Sequence, residues 1–236
     1  MIMNEYILIN GKNSYTDFNL QISDKNIGLP TKKTIYETIP FYNGYFDFSA
    51  IDGNVYLGER ILTYTFDIVA DTNQQLQELY RSVIVWLMDT QQSNIYDSES
   101  NTTYVGSLDK WSIEQDVLYM ELTVTFKCQP YAILSTHTIH LDGLSTENIP
   151  SCELPTPLQI HMGNEDGKIH IILYTNEQQT TFEHYTNTYM GNYTYTLSDN
   201  NGLQVYNKYG GYAYTERLQG NTNLVTCDIT YDERGL

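Results

Sequence analysis

The chain has 236 residues, enough for one large domain or two small ones, and either can bury a core. Its formal net charge is -17, with 12 Lys and Arg against 29 Asp and Glu, which argues against direct binding to nucleic acid or to anionic membranes. The 22 Tyr and 7 Phe favour strands over a helical bundle.

Residues 1–6 have no basic region and no long apolar region, so we expect no signal peptide. No apolar run approaches the roughly 20 residues that span a bilayer, so we expect no membrane insertion, and assembly in a cytoplasm. The odd number and wide spacing of the cysteines, with no Cys-x-x-Cys motif, indicate reduced thiols rather than disulfides or a zinc site. These cysteines are Cys128, Cys152 and Cys227.

The chain begins with patterns typical of short strands. Tyr6–Ile9 precedes Asn10-Gly11, which is a strong hairpin signal, and apolar residues alternate with polar ones between Ser14 and Asn26. Residues 28–40 differ, because they combine polar residues with a Pro near each end and the only Lys-Lys pair. This composition is typical of either a solvated loop or an extended arm that packs on something other than its own domain.

The stretch from Gly44 to Asp89 predicts two strands and one amphipathic helix. The strands alternate as half-buried strands do, with apolar faces formed by Phe46, Phe48 and Ala50 in the first and by Leu62, Tyr64, Phe66 and Ile68 in the second. A helix over 72–89 follows, in which Asp71 or Thr72 is the N-cap and Gln75 stands at the spacing of a capping box. Its apolar stripe has the spacing of a single face, so we expect the helix to lie on the sheet. The stripe consists of Leu76, Leu79, Tyr80, Val83, Ile84 and Leu87.

Two further features complete the first half of the chain. Residues 95–106 predict a hairpin that turns at 98–101, and a long strand over 117–128 places Cys128 on a core face, where a thiol is inert. Pro130 cannot continue a hydrogen-bonded ladder. We therefore predict an N-terminal domain over 1–131.

The second half has a different composition. Residues 132–156 are polar and rich in Thr, and we predict a linker there. From 157 to 236, short strand patterns are separated by clusters of Gly and Asn, which predicts a small C-terminal β-sandwich.

Four short blocks carry a resemblance to a known family. They are Phe46-Asp-Phe-Ser-Ala, Glu59-Arg-Ile-Leu-Thr-Tyr-Thr-Phe, Val85-Trp-Leu-Met and Phe126-Lys-Cys-Gln-Pro-Tyr. In this order and at these separations, the chain resembles the distal tail proteins of long-tailed bacteriophages. The resemblance implies a mainly β fold, with an N-terminal β-sandwich, one packed α-helix and a C-terminal sandwich similar to galectin-like carbohydrate-binding domains. It also implies structural roles for Phe46, Phe48, Tyr64, Phe66, Trp86, Phe126 and Pro130.

The resemblance further implies a function. Such proteins form a head-to-tail ring of six copies in the virion, at the junction of the tail tube and the tail-associated hub or tip protein. The partners expected for this chain are therefore further copies of itself, the tube protein, the hub protein, and a receptor-binding protein or cell-wall glycan. Candidate subunit contacts are Lys32, Lys33, Asp52, Asn54, Tyr56 and Glu59.

The sequence offers no constellation for catalysis. It has no hydrolase elbow, no phosphate-binding glycine loop and no His-Glu-x-x-His, so we expect a non-enzymatic protein with no cofactor and no metal. His137 and His140 would lie on opposite faces of a strand and make a poor metal pair. The acidic pairs Glu165-Asp166 and Asp232-Glu233 are typical of solvated turns.

Tyrosines cluster between residues 185 and 214, beside many Asn, Gln and Thr. Aromatic faces with amide partners are suited to sugar recognition, although Tyr is also a favoured residue of half-buried strands. The candidate glycan contacts are Tyr206, Tyr209, Tyr212 and Tyr214. The alternative to a ring-forming tail protein is therefore a monomeric carbohydrate-binding module that works by adhesion.

Overall fold

A computed structural model describes residues 5–41, 43–49, 56–142, 145–163, 167–174, 178–186, 193–198, 204–217 and 226–236. The chain divides into two compact units, one over Met1–Ala132 and one over Ile133–Gly235. The described residues are mainly β with a single helix, so the predicted fold class is confirmed. No helix in these ranges combines the length and the hydropathy that a membrane crossing requires.

The first unit is built on one antiparallel sheet of seven strands, in the order β3-β6-β9-β8-β7-β1-β2. Two further strands, β4 and β5, pair only with each other in the described chain. The elements are β1 (Ile7–Ile9), β2 (Lys12–Asn13), β3 (Gln21–Ile27), β4 (Tyr36–Glu37), β5 (Phe46–Asp47), β6 (Arg60–Val69), α1 (Asn73–Met88), β7 (Ser93–Asp97), β8 (Thr102–Gln115) and β9 (Tyr119–Cys128).

The core of the first unit follows the alternation of the sequence. In β6 and β9, Leu62 pairs with Phe126 and Tyr64 with Val124, and their side chains are buried on the same face. The predicted strand over 117–128 begins later, at Tyr119, and Leu118 is exposed rather than in the core.

Helix α1 covers this core. Thr72 is its N-cap, with Oγ1 accepting a hydrogen bond from the Gln75 amide at 3.2 Å, as the capping pattern predicts. The Trp86 ring stacks on Phe18 at 4.7 Å between centroids, and its Nε1 donates to the Ile9 carbonyl at 3.0 Å. The C-terminal half of the helix is thereby fixed to the β2–β3 connection by an aromatic contact and to β1 by a buried hydrogen bond.

One buried cation in the first unit has two guanidinium nitrogens without a hydrogen-bond partner in the described residues. Arg60 is 2% exposed, and its Nε and Nη2 form no hydrogen bond within the described residues. The guanidinium lies over the Tyr104 ring, with Cζ 5.3 Å from the ring centroid. Burial of a charged group costs desolvation free energy, and here no ion pair with a described carboxylate offsets that cost.

The second unit contains β10 (Ala132–Asp142), β11 (Thr146–Ile149), β12 (Thr156–Pro157), β13 (Gln159–Met162), β14 (Gly167–Tyr174), β15 (Gln179–Thr186), β16 (Tyr193–Thr196), β17 (Tyr206–Asn207), β18 (Gly211–Arg217) and β19 (Thr226–Gly235). One four-stranded sheet has the order β10-β19-β13-β16 and a second has the order β11-β18-β14-β15, while β12 pairs with β17. Both sheets contribute to one core, for example through Ile160 and Ile229 from the first and Ile169 and Ala213 from the second. This is the arrangement of a sandwich.

The segment 132–156 differs from the expected linker, because it contains β10 and β11. Its polar, Thr-rich composition reflects exposed strand faces. In β10, Thr136 donates a hydrogen bond to Asp232 of β19, and His140 contacts Asp228 of the same strand. His137 instead contacts Glu233. His137 and His140 therefore lie on opposite faces of one strand, as the spacing predicts.

Candidate functional site

The feature of the first unit that departs most from a compact fold is a two-stranded ribbon, residues 29–41, 43–49 and 56–59. It continues the β3–β6 pair beyond the Gly28 amide, which donates to the Ile61 carbonyl at 2.9 Å. Lys33 N donates to Tyr56 O at 2.8 Å, and farther out Phe48 N donates to Ile35 O at 2.9 Å. Backbone pairing thus holds the ribbon together along its described length.

The ribbon exposes apolar side chains that a monomer does not bury. Phe46 and Phe48, which the sequence pattern placed on a half-buried strand, are exposed on it, and the core clusters include no residue of the ribbon. Their alternation is correct for a strand, but no core residue of the described chain packs behind the ribbon as a second layer. The large exposed side chains are Leu29, Ile35, Tyr36, Ile39, Phe41, Tyr45, Phe46, Phe48 and Tyr56.

A polar contact orders the returning strand of the ribbon. Ser49 is buried, and its Oγ accepts from the Ile35 amide at 2.9 Å while its own amide donates to Asp47 Oδ1 at 2.8 Å. The hydrogen bonds from Ser49 hold the pKa of the Asp47 carboxyl below its usual value. The ribbon is therefore a defined element rather than a solvated loop.

The tip of the ribbon, residues 38–41 and 43–46, contains no charged residue. Phe41 within it is fully exposed and has a φ of +68°. The left-handed region is unfavourable for a bulky side chain. The tip consequently presents an aromatic ring to solvent in a strained backbone conformation.

A groove of about 660 Å³ lies at the base of the ribbon, against the middle of β8 and the end of β9. Its apolar residues are Leu57, Gly58, Leu108, Cys128 and Pro130, and its polar residues are Lys33, Glu59, Gln92, Ser107, Asp109, Lys127 and Gln129. Burial raises the pKa of the Cys128 thiol to about 12, so this cysteine is not a nucleophile.

The charges that line the groove are balanced. Lys127 Nζ lies 3.2 Å from Asp109 Oδ1, and Asp109 together with Glu59 raises the pKa of Lys127. Lys33 supplies the second cation and Glu59 the second anion of the lining. The four charges that line the groove therefore sum to zero, whereas the whole chain has a net charge of -17.

The structure places the predicted subunit contacts as follows. Lys33 and Glu59 both line the groove. Lys32 forms a β-bridge with Leu57 in the ribbon, and Tyr56 is exposed there. Asp52 and Asn54 lie outside the described residues. The structure also brings Asp109 and Lys127 to this groove, and nothing in their local sequence distinguishes them from ordinary strand residues.

The four predicted glycan contacts separate into two pairs. Tyr212 and Tyr214 lie on the same face of β18, with ring centroids 6.4 Å apart. Tyr206 instead belongs to β17, and Tyr209 lies under the Lys208 ammonium, with Nζ 5.5 Å from the ring centroid. No single aromatic surface made of all four exists in the described chain.

Two residues that sequence reasoning missed join the first pair. His170 pairs with Tyr214 across β14 and β18, and their rings stack at 4.5 Å; Tyr174 lies 6.3 Å from Tyr212. These side chains share the face opposite the sandwich core, since Ile169 and Ile171 point into that core. Strand alternation in β14 could have placed His170 and Tyr174 on one face, but the cross-strand register could not be read from the sequence.

Carboxylates surround His170. Its Nε2 is 2.8 Å from Glu216 Oε2 and its Nδ1 is 3.3 Å from Glu183 Oε1, and Lys168 forms an ion pair with the same Glu183. Hydrogen bonding to Lys168 lowers the pKa of Glu183. The face thus combines aromatic rings with charged hydrogen-bonding groups. Among the residues that the structure describes, no group of His, Cys, Asp and Glu is arranged to hold a metal ion.

Comparisons with known proteins give a match at the level of structure. No family model matches the sequence, and no curated protein is detectably similar to it. The crystal structure of the Dit protein (gp 19.1) of phage SPP1, described as a paradigm of the hub adsorption apparatus in phages that infect Gram-positive bacteria, superposes with a TM-score of 0.67 at 15% identity. The match covers 98% of this chain and 99% of the SPP1 chain.

This chain has the Dit fold. A chain of the phage p2 baseplate in its activated conformation with Sr is also similar, at 7% identity over 96% of this chain and 97% of that chain, but its TM-score of 0.47 is too low to bear on the fold. The four sequence blocks predicted a resemblance to distal tail proteins, and the structural match confirms that resemblance for the fold.

In the Dit fold, the four blocks have distinct places. The second, third and fourth contribute Phe66 of β6, Trp86 of α1 and Phe126 of β9 to the core of the first unit, while the first forms part of the ribbon. The structural roles implied for Tyr64, Phe66, Trp86 and Phe126 thus agree with their burial. Phe46 and Phe48 differ, since both are exposed.

Proposed function

We propose that this protein is a non-enzymatic component of a bacteriophage tail tip, a hub protein whose copies form a hexameric ring between the tail tube and the tip proteins. The proposal rests on the Dit fold, which spans nearly the whole chain, and on the ribbon. The observation that supports the proposal most strongly is the set of exposed apolar side chains on the ribbon, because a large exposed apolar surface marks an interaction site.

A ring is the assembly that the two surfaces of the first unit suit best. A head-to-tail contact that closes by rotation needs two different, complementary surfaces on each copy. The ribbon and the groove at its base are two such surfaces on one unit. An acidic chain around the central hole would also let DNA pass without adhering, since like charges repel.

Electron microscopy tests the proposed assembly. Negative-stain images of the purified protein should show rings with six-fold symmetry and a central hole. A variant in which residues 34–48 are replaced by a short Gly-Ser turn should appear only as single particles, because it lacks the outer ribbon. Single particles for the unaltered protein as well would contradict the proposal.

Adhesion to a glycan is a second candidate function, and one specific observation favours it. Tyr174, Tyr212 and Tyr214 share one face of the second unit, where the buried His170 ring stacks on Tyr214 and contacts the carboxylates of Glu183 and Glu216. Rings of this kind cover the apolar faces of sugars while carboxylates accept bonds from sugar hydroxyls. This function requires no ring, so it would also suit a monomeric module.

The two pairs of tyrosines provide a matched test of adhesion. Tyr212→Ala and Tyr214→Ala should reduce retention of the protein on purified cell-wall polysaccharide at least tenfold. Tyr206→Ala and Tyr209→Ala, which alter exposed tyrosines elsewhere in the same unit, should leave retention unchanged. Equal effects of both pairs, or no retention of the unaltered protein, would remove this candidate.

A further inference from the structure

We propose that the outer face of β14 and β18 in the second unit binds a sugar that carries an ammonium group, with the ammonium at Glu216 and the sugar beside Tyr212 and Tyr214. The inference rests on adhesion, the second candidate function above, and deepens it by naming the class of ligand. The outer face is the side of this sheet opposite the core of the second unit. It carries His170, Tyr174, Glu183, Tyr212, Tyr214 and Glu216.

The two carboxylates of the outer face are not equally available to a ligand. Glu183 is engaged at both oxygens, because Oε2 lies 2.6 Å from Lys168 Nζ and Oε1 lies 3.3 Å from His170 Nδ1. Glu216 is engaged only at Oε2, which lies 2.8 Å from His170 Nε2. Its Oε1 has no partner in the described chain, and 59% of its side chain is exposed. A carboxylate fixed at one oxygen and open at the other is suited to accept hydrogen bonds from a ligand.

The basic groups of the outer face are already engaged. The Lys168 ammonium is held by Glu183, and both ring nitrogens of His170 contact carboxylates. An anionic sugar would therefore meet the open oxygen of Glu216 with no free basic group among the described residues of this face. A chain with a net charge of -17 would also repel such a sugar at longer range.

Charge complementarity thus favours a cationic ligand. An ammonium group has three hydrogen-bond donors and no acceptor, which suits an open carboxylate oxygen. Hydrogen bonds between ionised groups are stronger than those between neutral ones, so the ammonium adds affinity that the hydroxyls of a neutral sugar do not supply.

The tyrosines provide the surface beside Glu216. Tyr214 stacks on His170 at 4.5 Å between centroids, and the rings of Tyr212 and Tyr214 are nearly parallel, with 19° between their planes. Their hydroxyls form no hydrogen bond within the described residues, so both can bond a ligand. From Tyr212 to Glu216, β18 spans about 13 Å at 3.3 Å per residue, so the three side chains suit an oligosaccharide.

Calorimetric titration with two matched oligosaccharides tests the inference. A β-1,4-linked glucosamine tetramer and its fully N-acetylated counterpart have the same rings and linkage, but only the first carries ammonium groups. At a pH at which those amines are protonated, the unaltered protein should bind the glucosamine tetramer about tenfold more tightly or better. Added salt should reduce this preference, because it screens exposed charges.

Glu216→Gln tests the position of the ammonium. The variant keeps the shape of the side chain and an oxygen for His170 but removes the charge, so the preference should fall to about twofold or less while the affinity for the N-acetylated tetramer is unchanged. The matched control is Glu78→Gln, which makes the same change of net charge on the exposed face of α1 and should keep the preference. An equal loss in both variants would show that the whole chain attracts the ammonium, and would overturn the inference.

The outcomes distinguish this inference from adhesion itself. Retention of the unaltered protein on cell-wall polysaccharide, with no preference for the glucosamine tetramer, would overturn the ammonium site and leave adhesion intact. No retention and no binding of either tetramer would overturn both. A preference that disappears in Glu216→Gln and persists in Glu78→Gln is the expected result.

Discussion

The hydroxyl of Tyr64 donates a hydrogen bond to Oδ2 of Asp97 at 2.9 Å inside the first unit. Asp97 is 1% exposed, and the Lys25 ammonium lies 3.3 Å from its other carboxylate oxygen. Asp97 also accepts from the backbone amides of Glu99 and Ser100, which close the turn between β7 and β8. One buried carboxylate therefore links β3, β6 and the β7–β8 hairpin.

Asp97→Asn should lower the free energy of unfolding by about 2–4 kcal/mol, because it removes the one buried carboxylate of the three that pair with Lys25 and weakens the bond from Tyr64. Chemical denaturation monitored by circular dichroism measures the change. The matched control is Asp67→Asn, since Asp67 accepts a bond from the Tyr119 hydroxyl at 2.9 Å on the exposed face of the sheet. A loss of more than about 1 kcal/mol there, or none at Asp97, would contradict the assignment.

Asp97 also predicts a dependence of stability on pH. Burial by itself would raise its pKa, but bonds from Ser100 and Tyr64 and the charge of Lys25 outweigh burial, so the folded-state pKa is lowered. A carboxyl with a depressed folded-state pKa contributes stability above its unfolded pKa, and that contribution is lost as the pH falls. The stability difference between the unaltered protein and Asp97→Asn should therefore shrink below about pH 4. A difference that stays constant from pH 7 to pH 2 would be inconsistent with this role.

Arg60→Met should leave the free energy of unfolding unchanged or raise it by about 1–2 kcal/mol. The substitution removes a buried cation whose Nε and Nη2 have no partner in the described chain, and it retains apolar bulk beside Tyr104. Arg60→Lys, which keeps a buried charge, should instead be destabilising. Thermal and chemical unfolding of both variants measures the effect, and a loss above about 1 kcal/mol for the Met variant would show that the guanidinium is satisfied.

Charge reversal in the ribbon should affect assembly and not folding. Lys32→Glu combined with Lys33→Glu places one more anion beside Glu59 and Asp109 in the groove and another near Asp47, so rings should dissociate at protein concentrations at which the unaltered ring is stable. The melting temperature of the monomer should change little. Lys208→Glu, an exposed charge in the second unit, is the control and should leave the rings intact. Rings of unchanged stability in the double variant would refute the contact.

The parts of the fold that the sequence predicted well are those with a strong period and a buried face. The alternation through Tyr64 and Phe66 and the stripe from Leu76 to Leu87 both correspond to buried faces in the structure. Phe46 and Phe48 have the same alternation as β6 but are exposed, because a pattern states which side chains share a face and not what covers that face.

Strand β18 is hidden from the sequence for a different physical reason. Gly210 and Gly211 form one of the Gly clusters that the pattern places between strands, but Gly211 is a strand residue whose added Cβ would overlap the carbonyl oxygen of Ile172. Glycine is required there by close approach of two backbones, and the sequence does not distinguish this from a turn. The contact between His170 and Tyr214 depends on the register of that strand, so it could not be predicted either.

Ring assembly is tested by light scattering of the purified protein in solution. A hexameric ring has a molar mass six times the 27.3 kDa of the chain, which should be maintained on dilution and reduced to one chain when residues 34–48 are replaced. A mass of one chain for the unaltered protein at every concentration would contradict the assembly and leave adhesion as the function to test.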